Sequence, residues 1–130
     1  MLARVHRITS GDDYRYLVRR GARYGVRGLT VSVAEASDAS APTRFGFIIS
    51  KRVGVAVVRN RLRRRLKAIS FELLEERPHG LDVVYRVHPE AAAWSFGELR
   101  ECARAGVGGA VRKLERRPSD VRSISQGPRS

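Results

Sequence analysis

The sequence predicts a single α+β domain, an α/β sandwich whose elements follow the order α-β-β-α-β-α. The chain has 130 residues and 42% of them are hydrophobic, which is enough for one domain with a buried core. Three segments have the apolar spacing of helices, and three shorter segments have the composition of strands. We place the domain at residues 1–117 and expect the Ser-, Pro- and Arg-rich tail at 118–130 to be disordered.

The first predicted helix has a recognisable signal at each end. Ser10 suits the N-cap position, two acidic residues follow it in the first turn, and two arginines precede a stop at Gly21. Residues 1–9 form a basic arm before this helix. Apolar residues then alternate at 29–33 and again at 45–49, which predicts two half-buried strands, and we expect these two strands to pair antiparallel.

A long central helix is predicted at 56–76. At 100° per residue, five apolar side chains fall within an arc of about 80° that faces the core; they are Val58, Leu62, Leu66, Ile69 and Leu73. A third strand follows at 82–87, and the succession of strand, helix and strand implies a parallel pairing. Ser95 and Glu98 have the spacing of a capping box and open a last helix at 96–115.

The charge of the chain is concentrated on the central helix. The net charge is +13, and residues 39–71 contain nine Lys or Arg and no Asp or Glu. Like charges at i,i+4 weaken a helix, so this pattern indicates that an outside partner neutralises it. Nucleic acid, an anionic membrane surface and an acidic protein all fit such a field, and a polyphosphate backbone fits it best.

No group of residues has the spacing of an active site. The three histidines, His6, His79 and His88, have no neighbouring Cys or acid at metal-ligand spacing, and Cys102 reads as a buried, inert thiol. We therefore predict no catalytic residue and no protein-bound metal. A single cysteine, no apolar signal core and no apolar run of membrane-spanning length favour a soluble, cytoplasmic protein.

Two features favour nucleic-acid binding beyond net charge. Lys51 and Arg52 stand between the second strand and the central helix, where cations and free backbone amides can hold phosphate. Exposed aromatic rings beside a positive groove are typical of single-strand binding, and Tyr14 is the best candidate for stacking. Core packing is the expected role for two of the other three candidates, which are Phe45, Phe47 and Tyr85.

These residues, in this order, resemble the protein subunit of bacterial ribonuclease P over about residues 4 to 115. The resemblance is carried by the basic arm, Asp13-Tyr14, Gly21, Gly46 to Gly54, Ala56 to Arg64 and Asp82-Val83-Val84. It implies that an RNA subunit is the catalyst and works with Mg²⁺ bound mainly by that RNA. It also implies that the protein binds the 5′ leader of precursor tRNA, and that the fold contains a left-handed βαβ crossover.

The resemblance also assigns roles to individual positions. The surface facing the catalytic RNA contains Arg59, Asn60, Arg61, Arg63 and Arg64, and Lys67 on the same helix is a further candidate. The candidates for phosphate or leader contact are Lys51, Arg52, Tyr14, Val18 and Arg86. Val18 and Ser32 depart from the family pattern, because aromatic side chains are common at both positions.

The leading hypothesis is an RNA-binding accessory subunit that positions precursor tRNA for cleavage by a partner RNA. Its expected partners are that catalytic RNA and precursor tRNA, with no DNA and no membrane. A ribosomal-type protein that binds folded RNA without a substrate role is the alternative. A protein-only nuclease would need clustered carboxylates, which the sequence does not show. A peripheral membrane role is disfavoured because the apolar arc of the central helix is needed for the core.

Overall fold

A computed structural model describes residues 2–117 of the chain, so the predicted tail at 118–130 lies outside the described residues. The elements are α1 (Gly11–Arg20), β1 (Ala22–Val26), β2 (Leu29–Glu35), β3 (Arg44–Ile48), α2 (Ala56–Leu73), β4 (Leu81–Val87) and α3 (Phe96–Arg116). The predicted α+β class, the three helices and the three strands are confirmed. The structure adds one strand, β1, that the sequence pattern did not predict.

The four strands form one mixed sheet in the order β1-β2-β4-β3. β4 pairs antiparallel with β2 and parallel with β3, so it is a central strand. The parallel pairing predicted around the central helix is confirmed. The antiparallel pairing predicted between 29–33 and 45–49 is wrong, because β4 lies between these two strands.

The connector between β2 and β3 explains why β4 takes the central place. It is hydrogen bonded to the segment that leads into β4: the Ala36 N–H donates to the Gly80 carbonyl, and the Gly80 N–H donates to the Ala41 carbonyl. Asp82 to Tyr85 of β4 are all buried, and such a strand is most stable with neighbours on both sides.

β1 was not predicted, because its residues lack the alternating apolar pattern that is typical of a strand. Of its five residues only Ala22 is buried, and Gly25 contributes no side chain. The strand is held by its antiparallel ladder with β2 and by a tight turn in which Gly28 has a positive φ of 79°. These are tertiary constraints, which override weak local propensity.

One face of the sheet carries the main core, under α2 and α3. Alternate residues of the strands point to this side, among them Val31, Val33, Phe45, Val83 and Tyr85. The predicted apolar arc of α2 is confirmed, since Leu62, Leu66, Ile69 and Leu73 are buried and Val58 packs against them. α2 ends at Leu73, three residues before the predicted end, and a turn follows it.

The opposite face of the sheet is only partly covered, and α1 is its cover. A small second cluster contains Leu17 of α1 together with Ile8, Ala34 and Val84. The predicted basic arm is not free here, because the Ile8 N–H donates to the Phe45 carbonyl at 2.9 Å and Ile8 is buried. The rest of this face remains accessible beside α1.

The ends of α1 and α3 are formed by the residues that the sequence singled out. The Ser10 hydroxyl accepts hydrogen bonds from the N–H groups of Asp12 and Asp13. Ser95 and Glu98 make both hydrogen bonds of a capping box. Within residues 2–117, no helix is long and apolar enough to cross a membrane.

α3 is continuous through the three glycines in its middle, and two of them allow close packing on the sheet. A Cβ at Gly106 would lie 2.6 Å from the Cγ2 of Val31, and a Cβ at Gly109 would lie 2.5 Å from the Tyr24 ring. Gly108 is different, because its nearest neighbour is the flexible Arg112 side chain at 3.6 Å.

We therefore expect Gly106→Ala and Gly108→Ala to have opposite effects on stability. Gly106→Ala overpacks the contact with the fully buried Val31 and should lower the free energy of unfolding by about 1–3 kcal/mol. Gly108→Ala gains helix propensity and should raise the free energy of unfolding by up to about 1 kcal/mol. Urea unfolding followed by circular dichroism measures both, and equal effects of the two variants would contradict the close packing.

Candidate nucleic-acid interface

The open part of the second sheet face forms a cleft beside α1. Its larger section has a volume of about 570 Å³ and is lined by Tyr14, Arg15, Val18, Arg19, Arg23, Ile48 and Arg86. A smaller section of about 180 Å³ is lined by Val18, Arg23, Thr30, Ser32, Val84, Arg86 and His88. Val18, Arg23 and Arg86 belong to both sections, so the two form one groove along α1.

Tyr14 is fixed in the wall of this cleft by two contacts. Its hydroxyl oxygen accepts a hydrogen bond from the Phe47 N–H at 3.0 Å. Its ring lies directly against Gly46, where an added Cβ would be 2.7 Å from the nearest ring carbon. Tyr14 thus presents a ring of fixed orientation whose polar end is already satisfied, which suits a stacking surface.

The cleft is lined by four arginines, and the side chains of three of them have no partner among residues 2–117. Arg15 is paired with Asp12 one turn earlier on α1. The exposed side chains of Arg19, Arg23 and Arg86 make no hydrogen bond or ion pair with any of residues 2–117. An anion entering the groove would therefore meet cations that need not leave an existing partner.

The smaller section is lined in part by polar side chains of β2 and of the segment after β4. Ser32 is buried there on β2, and the Thr30 hydroxyl is hydrogen bonded to Nε2 of His88 at 2.8 Å. Small side chains at Val18 and Ser32, where the resemblance led us to expect aromatic residues, leave space in this section. Neither can stack on a base, so among residues 2–117 Tyr14 is the one Phe, Tyr or Trp that lines the cleft, and the His88 ring lines its smaller section.

Arg44 holds α1 at the edge of the cleft. Its guanidinium donates two hydrogen bonds to Asp82 on β4, at 3.0 and 2.8 Å, and one to Asp13 on α1 at 3.2 Å. The hydrogen bonds that Arg44 donates to Asp82 raise the pKa of Arg44, against the opposing effect of burial, so Arg44 stays charged at all accessible pH. This bidentate bridge fixes the first turn of α1 relative to the sheet.

A second cationic surface lies on α2, on the side that faces away from the core. Asn60 and Arg64 are exposed there and Lys67 is half-buried. Arg63 is close by and donates to the Asn60 side chain at 3.2 Å. Arg64 and Lys67 make no ion pair with any residue of the described chain.

Two of the predicted site arginines are instead tied to backbone carbonyls. Arg59 donates to the Gly54 carbonyl at 3.1 Å, and Arg61 donates to the Ala92 carbonyl at 3.4 Å. Arg65, further along α2, donates to the Trp94 carbonyl at 3.2 Å. Their charges remain available to an external anion, but each of the three also holds a connecting segment against α2.

The predicted site residues therefore fall into two groups. Tyr14, Val18 and Arg86 line the cleft, whereas the α2 residues lie beyond the main core. Lys51 and Arg52 are exposed in a short 3₁₀ turn just before α2, and they are not among the cleft-lining residues.

Most of the predicted aromatic candidates belong to the core. Phe45 and Tyr85 are buried and stacked at 6.2 Å between ring centroids, and the partly buried Phe47 stacks on Tyr85 at 5.7 Å. This confirms that core packing takes two of the three. Burial raises the pKa of the Tyr85 phenol, whose hydroxyl is within 3.1 Å of the Ser70 hydroxyl.

Sequence reasoning missed the cleft contributions of Arg15, Arg19 and Arg23. A signal was present for the first two, because Arg15 and Arg19 are four residues apart on α1 and adjacent to Tyr14 and Val18. No local signal existed for Arg23, because its strand was not predicted. Among residues 2–117, no group of three or more His, Cys, Asp or Glu side chains is placed to hold a metal ion.

Comparisons with known proteins agree on one family. The family model described as Ribonuclease P matches residues 2–111. The Ribonuclease P protein component of Clavibacter michiganensis is 51% identical over 114 residues, covering 88% of this chain and 100% of the relative. That of Kocuria rhizophila is 43% identical over 113 residues, covering 87% and 98%.

Solved structures show the same fold at low sequence identity. The RNase P protein of Staphylococcus aureus superposes with a TM-score of 0.72 at 19% identity, covering 81% of this chain and 94% of that one. The RNase P protein of Thermotoga maritima gives 0.68 at 17% identity, covering 86% and 98%.

The anchoring of Tyr14 can be tested apart from any ligand. Tyr14→Phe removes the acceptor of the Phe47 N–H and should lower the free energy of unfolding by about 1 kcal/mol. Tyr16→Phe is the matched control, since Tyr16 is 53% exposed on the same helix and should change it little. Chemical denaturation of the two variants checks this, and equal stabilities would contradict a structural role for the Tyr14 hydroxyl.

Proposed function

The chain belongs to the family of ribonuclease P protein components, which act in tRNA processing, and we propose that it is the RNA-binding accessory subunit of that enzyme. In this proposal the cleft beside α1 holds the 5′ leader of precursor tRNA, and the outer surface of α2 binds the catalytic RNA. The protein then assists endonucleolytic removal of the leader, which gives the mature 5′ end.

The composition of the cleft supports a single-stranded ligand. A fixed aromatic ring and three arginines without a side-chain partner in the described part of the chain line the groove. They provide stacking and phosphate neutralisation together, the combination that single-strand binders use. The arginine side chains are exposed and can follow a flexible backbone. A duplex presents no unstacked base to such a ring, so the groove favours a leader over the tRNA body.

The α2 surface supports a structured RNA instead. Its cations project from one helix, which also has the exposed apolar side chains Val57 and Phe71 near its two ends. Lys51 and Arg52 stand at the amino end of the same helix, where they extend the positive surface. Phosphate contacts of this kind give affinity and orientation without reading base sequence.

We assign the cleavage step to the RNA partner. The family resemblance implies an RNA catalyst, and the described residues offer no metal-ligand group that would support a different assignment. Mg²⁺ in this proposal is held by the RNA, and no step here passes through a protein-bound ion. Cleavage of precursor tRNA by the purified polypeptide, free of RNA, would overturn this part.

The observation that carries the proposal is the presence of two separate cationic surfaces on opposite sides of one sheet. The cleft lies on the face shared with α1, whereas α2 packs on the other face. A subunit that joins a catalytic RNA to its substrate needs two such surfaces. A ribosomal-type protein that binds folded RNA alone would not need the cleft, so equal binding of mature and precursor tRNA would favour that alternative.

The salt dependence of binding tests the electrostatic part. If about six cations engage RNA phosphates, log affinity for precursor tRNA in the holoenzyme should fall with log salt at a slope near −4. Binding measured from 50 to 300 mM monovalent salt, at constant Mg²⁺, gives this slope. A slope near zero would contradict the proposal.

The leader assignment is tested with charge-removing variants on the two surfaces. In the reconstituted holoenzyme, Arg86→Gln should weaken binding of leader-bearing precursor about five- to tenfold by removing a charge-assisted contact, and leave binding of mature tRNA unchanged.

Arg64→Gln on α2 is the matched control for Arg86→Gln. It should weaken assembly with the catalytic RNA, and it should not discriminate precursor from mature tRNA once the complex has formed. Equal loss of precursor and mature tRNA affinity in Arg86→Gln would place the leader elsewhere.

A further inference from the structure

The exposed face of α2 contains an aromatic side chain that the core does not explain. Phe71 is 49% exposed near the carboxyl end of the helix, although the opposite face of the same helix is fully buried. Scattered apolar residues are normal on protein surfaces. Phe71 differs from these because it lies beside Arg64 and Lys67, which make no ion pair with any of residues 2–117, so a ligand that binds those cations would also meet the Phe71 ring.

Helical geometry places Phe71 in line with those cations. Phe71 lies four residues after Lys67 and seven after Arg64, so at 100° per residue both cations are within about 40° of it around the helix. Neither cation is paired with another residue of the described chain. The Phe71 ring and the charged groups of Arg64 and Lys67 therefore lie on the same side of α2.

We propose that Phe71 stacks on a nucleobase of the structured RNA partner and marks the carboxyl-terminal end of the RNA-binding surface of α2. This inference rests on the proposed function. A nucleic acid is the partner class that offers closely spaced phosphates and flat apolar rings together. An aromatic ring beside unpaired cations matches both parts of that chemistry.

The distribution of acidic residues supports an end point at Phe71. The stretch without acids ends at this residue, and Glu72 follows it immediately. Glu72 is turned towards α3, where it pairs with Arg100 at 2.7 Å, and Glu76 pairs with Arg104. The exposed Glu75 is the first acid near the RNA-facing side. The uninterrupted run of positive charge along α2 therefore ends at Phe71.

The amino end of the same face is also apolar. Val57 in the first turn of α2 is 73% exposed, and fourteen residues at 1.5 Å each place it about 21 Å from Phe71. Asn60, Arg64 and Lys67 lie between the two. The surface therefore has cations in its middle and apolar contacts at its ends, an arrangement that fits an RNA whose bases contact the ends of the helix.

The test measures binding of the refolded catalytic RNA to the full protein. Phe71→Ala and Phe71→Leu should each weaken binding about tenfold, and Phe71→Trp should retain it, because a stacked ring and not apolar volume is required. The salt slope should stay that of the unaltered protein in all three, whereas Arg64→Gln should make it shallower.

A matched control is available on α1. Tyr16 is 53% exposed, close to the 49% of Phe71, and it is not among the cleft-lining residues, so Tyr16→Ala should bind the RNA as the unaltered protein does. Phe71→Leu keeps most of the apolar contact within the protein, and its Tm should stay close to that of the unaltered chain. A loss of affinity with unchanged Tm therefore reports the RNA contact and not folding.

Crosslinking from a benzophenone side chain placed at position 71 identifies the partner. A crosslink to the catalytic RNA supports the proposal, and a crosslink to the leader, to a protein or to nothing overturns it. Full RNA affinity in Phe71→Ala would overturn the proposal and leave the proposed function standing. Failure of the unaltered protein to bind the RNA at all would overturn both.

Discussion

The parallel pairing of β3 with β4 is the constraint on which the rest of the structure depends. Two adjacent parallel strands cannot be joined by a hairpin, so the chain between them must cross one face of the sheet, and α2 is that crossing. Its apolar arc closes the main core, so its polar side is forced outward. The most basic segment of the chain is thereby held on a rigid helix.

The same constraint leaves the second face of the sheet to a single short helix. α1 has ten residues and covers Ala34 and Val84, while Arg86 and Thr30 on the same face stay accessible. Complete coverage would need a second helix on this side, and α3 is already used on the other. The cleft is the uncovered remainder of a sheet face, and Arg44 keeps its rim in place through Asp82 and Asp13.

The sequence was most informative where local chemistry and burial agree. The α2 arc, the Ser10 cap and the capping box of α3 follow from side-chain spacing, and all three were predictable. Strand neighbours were not, because β2 and β3 are separated by a strand that comes 33 residues after β3 in the chain. β1 was missed because its stability comes from its partner strand and from Tyr24 under Gly109, not from its own pattern.

The candidate site was also predictable only in part, because the sequence does not show which cations have partners inside the protein. The acid-free stretch suggests a uniform set of cations for a partner, yet the structure gives several of them internal tasks. Arg44 braces α1, and Arg61 and Arg65 hold the segment before α3 through its carbonyls.

Carbonyl groups accept from a guanidinium without cancelling its charge, so a chain can use arginine for internal support and keep a positive field. Sequence alone cannot separate the two uses, because the carbonyls come from residues about thirty positions away. Arg64 and Arg86 have no side-chain partner among residues 2–117, and they are therefore the cations to which the proposal assigns an RNA contact.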